Sequence, residues 1–213
     1  MARPSQNIDQ RLLEAGAQLL PSTGCRGLSA RKLAEHAGVN LGMFHYHFRT
    51  KDNFIRTLLQ QMYEQMFSML VIKAREGDSA LQNLRNAMLV LAHFARTHRA
   101  MLVRIASDAL AGEQVAVEFL QANLPRHIGV LSGLIADAQR EGELVKAPVA
   151  QVFSFLAGAV MAPVLLGAAL ADNIAVPAAL GARMEREVLS KKAVEQRVDF
   201  ALRGLAVADR RLA

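Results

Sequence analysis

A single cysteine, Cys25, serves the whole chain, which excludes an intrachain disulfide framework and leaves no thiol set for a structural zinc site. A reducing compartment follows, with Cys25 as a small packed residue. The opening MARPSQNIDQ lacks the apolar core and small-residue cleavage site of a secretory leader, so the chain is expected in the cytoplasm. No stretch alternates β-branched and polar residues between Asn-Gly or Asp-Gly turns, which argues against hairpins. No Ser/His/Asp spacing, phosphate loop or nucleophile elbow is present, so nothing points to an enzyme. His36, His45 and His47 lie close together, but 45 and 47 fall on nearly opposite sides of a helix. No cysteine or carboxylate cluster completes a tetrahedral set, and neither a metal nor a cofactor is expected.

The 213 residues are 52% hydrophobic and 21% charged, a globular composition far from that of disorder. Net charge is +6, and it is unevenly placed. Residues 1–56 carry eight Lys and Arg against four Asp and Glu, whereas the remainder carries seventeen against fifteen. A small basic head on a roughly neutral body is the charge pattern of a nucleic-acid-binding module joined to a larger domain.

Helical spacing dominates and predicts an all-α protein. Ile8, Leu12, Ala15 and Leu19 share one face of a first helix that should end near Pro21 and Gly24. Ser29 is a candidate cap for a short second helix, Gly38 its terminator, Asn40 the cap of a third through His47, and Thr50 that of a long fourth. Further helical patterns cover 51–76, 79–99, 100–111, 115–122, 125–141, 149–171 and 185–206. Turn signals separate most of them, and the longest loop is expected over 172–183. Two short helices crossing at Gly38 bury Leu33, Ala34, Val39, Phe44 and Phe48 against the Ile8/Leu12 face, a helix-turn-helix near Ser29 to Phe48. The second helix of such a unit enters the DNA major groove by its N-terminus. Here that end is Asn40, Leu41, Gly42 and Met43, with His45, Tyr46 and His47 able to add hydrogen bonds and Lys51 a positive charge.

The run SARKLAEHAGVNLGMFHYHFRTKDNFI resembles the DNA-binding signature of the tetracycline-repressor (TetR) family. Ser29, Leu33, Ala34, Ala37, Gly38, Val39, Gly42, Phe44, His47, Phe48 and Lys51 match or substitute conservatively. The resemblance implies phosphate contacts from Ser29, Gly42, His45, Tyr46 and Lys51, and base contacts from Asn40, Leu41, Met43 and Tyr46. Asn40 replaces the usual serine, Leu41 a commonly basic residue and His45 a tyrosine. Leu41 and Met43 are therefore expected to read thymine methyl groups.

The resemblance also implies a DNA-binding domain over 1–50 and a helical ligand-sensing and dimerisation domain over 51–213. The chain would be a homodimeric repressor released from double-stranded operator DNA by a small, hydrophobic effector. Met62, Met66, Phe67, Met88, Phe94, Met101, Phe119 and Phe153 are candidate pocket residues, being apolar and adaptable. Gly158, Ala159, Ala162 and Gly167 on one helix and Val194, Val198, Ala201 and Leu205 on the last are candidate dimer contacts, two helices per subunit making a four-helix bundle. The run 152–171 meets the length needed to span a bilayer, so a membrane-associated helical protein is the alternative. Pro163 within the run, sparse flanking anchors and an Ala/Gly-rich composition favour a buried helix and no membrane partner.

Overall fold

A computed structural model describes residues 7–173 and 177–207, with the backbone alone for 168–173. Among the described residues there are ten helices and no strand: α1 (Ile8–Gly27), α2 (Ala30–Ala37), α3 (Leu41–Phe48), α4 (Lys51–Lys73), α5 (Ala80–Thr97), α6 (Arg99–Leu110), α7 (Gln114–Arg140), α8 (Val149–Asn173), α9 (Ala178–Glu187) and α10 (Lys191–Leu205). The all-α class follows. Residues 1–6, and 174–176 of the expected long loop, lie outside the described residues; the described parts of that loop are largely helical, in α8 up to Asn173 and in α9 from Ala178.

The chain divides into two compact units, one of Met1–Glu64 with Ala100–Asn123 and one of Gln65–Arg99 with Leu124–Ala213. In the first, α1, α2 and α3 pack on one another around Leu12, Leu33, Phe44, Phe48 and Phe54. Ile8 and Val39 are partly buried at its edge. Phe48 meets Phe54 edge to face with ring centroids 4.9 Å apart. Helix α1 runs past Pro21 to Gly27, with its break at Gly24, where φ is 66° and the backbone leaves the helical region. The compact unit thus also takes in the start of α4, α6 and the first turns of α7.

The second unit is built on α5, α8 and α10, whose buried faces include Leu84, Met88 and Ala92, Val152, Leu156, Val160 and Val164, and Val194, Val198 and Leu202. The free N–H groups that begin α5 are satisfied from outside the helix: Glu141 accepts from Ala80 at 3.2 Å and Glu143 from Leu81 at 2.7 Å. Ser190 caps α10 by accepting from the Ala193 N–H.

Helix α7 is continuous where a break was expected at Asn123 to Pro125, and Pro125 lies inside it. Of the candidate dimer residues, Val194, Val198 and Ala201 are buried within one chain and Leu205 is half-buried. Gly167 is also buried, a Cβ there lying 3.3 Å from Leu189. The α10 residues among them face the chain's own α5 and α8. The candidate pocket also divides: Met101 is in the core of the first unit, with Met62 and Phe119 packed against it. Met66 and Met88 are buried in the second unit, with Phe67, Phe94 and Phe153 half-buried. Its clefts have other walls. One of about 430 Å³ is lined by Ser79, Gln82, Arg85, Asp199 and Arg203, and one of about 510 Å³ by Val71, Arg75, Gly129, Gly133 and Leu134.

Candidate nucleic-acid interface

Local chemistry fixes the two short helices. The Ser29 hydroxyl accepts from the Lys32 N–H at 3.2 Å and starts α2. Gly38 ends it in the left-handed region, with φ 62°, which glycine occupies without a Cβ penalty. Arg11 then donates to the carbonyls of Ala37 and Gly38 at 2.5 and 3.1 Å. A cation thus sits at the negative end of α2 and ties it to α1. The Asn40 side-chain oxygen accepts from the Gly42 N–H at 2.7 Å and starts α3. This departure from the familiar serine preserves the capping chemistry.

The inner face of α3 is anchored by Phe44 and Phe48, 0% and 5% exposed. Its outer face is open: Asn40, Leu41, Gly42 and His45 are exposed and Tyr46 is 74% exposed. Ser29, Met43 and His47 are half-buried at the margins. The His45 Nδ1 lies 3.2 Å from the Arg49 carbonyl, so that nitrogen carries the proton in this contact. The Nε2 of His47 is buried without a hydrogen-bond partner.

Lys51 differs from the other sequence-selected residues. Its ammonium is turned onto the end of α1, donating to the carbonyls of Cys25 at 3.0 Å and Arg26 at 3.5 Å. A phosphate would have to share a group already bonded twice. Sequence reasoning passed over Arg31, Lys32 and Arg49, which are exposed and form no ion pair among the described residues. The charge excess of the head was their signal, but the family pattern leaves their positions variable. Cys25 is buried, and burial followed by the nearby Asp108 carboxylate pushes its thiol up to about 12. It is a packed thiol and no thiolate nucleophile.

An exposed helix N-terminus on a buried aromatic anchor, preceded by a capped crossing helix and bordered by free cations, is the arrangement of a helix-turn-helix. Residues 12–58 match the model of bacterial regulatory proteins, tetR family. Over 113 residues the chain is 25% identical to the nucleoid occlusion factor SlmA of Marinomonas sp. (strain MWYL1), a match spanning 53% of this chain and little more than half, 57%, of that relative. The fold is shared with solved structures at low identity. The ketosteroid transcriptional regulator KstR2 of Mycobacterium tuberculosis superimposes with TM-score 0.71 at 17% identity, over 93% of this chain and 95% of that one. The transcriptional regulator FadR of Bacillus subtilis, solved with stearoyl-CoA, does so with TM-score 0.69 at 14% identity, over 92% and 98%. The head of the chain is thus similar to the DNA-binding segment of the tetR family of bacterial regulatory proteins, and the chain shares its fold with solved structures such as KstR2.

Proposed function

We propose that this chain is a homodimeric, cytoplasmic transcriptional repressor that leaves its operator when a small hydrophobic ligand binds its larger helical portion. Residues 1–50 would carry the DNA contacts and residues 51–213 sensing and dimerisation. The single observation behind the DNA reading is the uncovered leading end of α3, where Asn40, Leu41 and Gly42 are exposed while Phe44 and Phe48 fix the helix from behind. Ser29, Gly42, His45, Tyr46 and Lys51 would hold phosphates, and Asn40, Leu41, Met43 and Tyr46 would meet base edges.

The ligand class rests on the apolar character of the helical portion, and on two proteins of like fold whose names carry a ketosteroid and stearoyl-CoA. Such a ligand must favour the DNA-free conformer by about 1.4 kcal/mol to change operator occupancy tenfold. Dimerisation rests on apolar side chains left exposed in one chain: Phe155 and Leu166 on α8, and Phe200 on α10. Gly158 and Ala162 lie between the first two on the open side of α8 and would let a second copy approach closely.

Helix α8 also supports the second reading. Its stretch Val149–Gly167 is long and apolar enough to cross a membrane, and little of it is buried within one chain. Sedimentation of the chain without detergent separates the two readings: a discrete dimer supports the repressor, and pelleting with lipid the alternative. Selection of bound duplexes from a random library, followed by a screen for compounds that release them, tests operator and effector together. Recovery of no enriched sequence would end the regulatory reading.

A further inference from the structure

Outside glycine, Arg49 has the one positive φ among the described residues, with φ 63° and ψ −57°. The Thr50 N–H donates to the Phe48 carbonyl at 2.7 Å, closing a γ-turn of the sterically unfavourable hand. The turn is held on both sides. The Asn53 amide donates to the same Phe48 carbonyl at 3.1 Å, and His45 Nδ1 donates to the Arg49 carbonyl at 3.2 Å. Glycine adopts this backbone freely, whereas a residue with a Cβ is strained in it. A connection between two helices therefore explains a glycine at this position but not an arginine, and strain of this kind concentrates where a side chain has work to do.

The side chain is placed for such work. Gly42, His45 and Tyr46 lie on the exposed side of α3, and Arg49 follows directly at its C-terminal end, also exposed. The Arg49 guanidinium makes no hydrogen bond or ion pair among the described residues. Lys51, by contrast, has its ammonium on the α1 carbonyls.

Building on the DNA-binding reading, we propose that Arg49 is a phosphate clamp of the head, held against the nucleic-acid backbone by the strained turn. Its partner is the phosphodiester itself, independent of base sequence. A guanidinium presents a planar fork that matches two phosphate oxygens, and it remains charged throughout the working pH range.

The strain provides a test that a structural role would fail. Binding of the full-length chain to a random-sequence duplex and to a library-selected duplex is measured over a salt series, with melting temperature in parallel. Arg49→Gly should weaken binding to both duplexes by the same factor and flatten the slope of log affinity against log salt by about 0.9 per head. Its melting temperature should hold or rise, since the strain is relieved. Arg49→Lys should keep the slope. An unchanged slope in Arg49→Gly, a loss confined to the selected duplex, or a loss accompanied by a lower melting temperature would each overturn the assignment. A wild-type chain that bound neither duplex would remove the DNA reading with it, whereas wild-type binding beside an unchanged Arg49→Gly slope removes the clamp alone.

Discussion

Asp108 is 5% exposed and directs its carboxylate at the backbone: Oδ2 accepts from the Cys25 N–H at 2.6 Å. That N–H is free because Gly24 leaves the helical region at φ 66°. A Cβ at 24 would lie 2.7 Å from Asp108 Oδ2 and would collide with Arg104 Nε. Removing the carboxylate strands a buried donor, which costs about 1–3 kcal/mol. Asp108→Ala should therefore lower the urea unfolding free energy by that amount. Glu113→Gln, which breaks the exposed pair with Arg26 at 3.1 Å, should lower it by under about 1 kcal/mol. Equal effects from the two would refute this account of the α1 kink.

A second residue sets a pH dependence. Burial holds the His98 imidazole below its ordinary value, so at neutral pH the folded chain keeps it uncharged beside the Phe94 ring, 4.6 Å between centroids. The unfolded chain binds the proton more readily, near pH 6.5. Stability from this site is therefore full above that value and declines as pH falls through and below it. The urea midpoint should drop between pH 7.5 and pH 5.5, and His98→Gln should flatten that drop. An unaltered profile would show that His98 does not govern it.

At the scale of elements, the helices that cap themselves were legible. Ser29, Gly38 and Asn40 do their work within three residues, so α2 and α3 could be placed from neighbours in sequence. Helix α7 could not. Asn123 and Pro125 read as a stop, because proline withholds an N–H and crowds the preceding turn. The helix continues because Pro125 and Gln121, whose carbonyl loses its partner, are both exposed, and solvent can replace one bond there. Inside, the Tyr63 hydroxyl donates to the Asn123 carbonyl at 2.8 Å, and the Asn123 amide donates to Gln60 at 3.1 Å. Those partners lie some sixty positions upstream, beyond the reach of any local pattern; Asp108 at the α1 kink is concealed in the same way. Tyr63→Phe should cost about 0.5–1.5 kcal/mol by urea unfolding, and no loss would mean that this hydroxyl does not support the proline-containing stretch.

At the scale of the molecule, periodicity found the apolar stripe of the last helix but could not say what covers it. Val194 and Val198 face the chain's own α5 and α8, while Phe200, two positions beyond Val198, is 64% exposed. A helix with apolar residues on more than one side offers two answers, and only packing chooses between them. The choice has a consequence for DNA. If the open faces of α8 and α10 pair two copies, Phe200→Glu should yield a monomer by sedimentation with little change in the chain's own melting temperature, since the site lies at the surface. Val198→Glu, at 0% exposure, should unfold the chain instead. Separating the heads forfeits the effective concentration that links two half-sites, so affinity for a duplex carrying both should fall about 100-fold or more, while affinity for a single half-site stays unchanged. A Phe200→Glu chain that remains dimeric, or that loses single-half-site binding as well, would move the interface elsewhere.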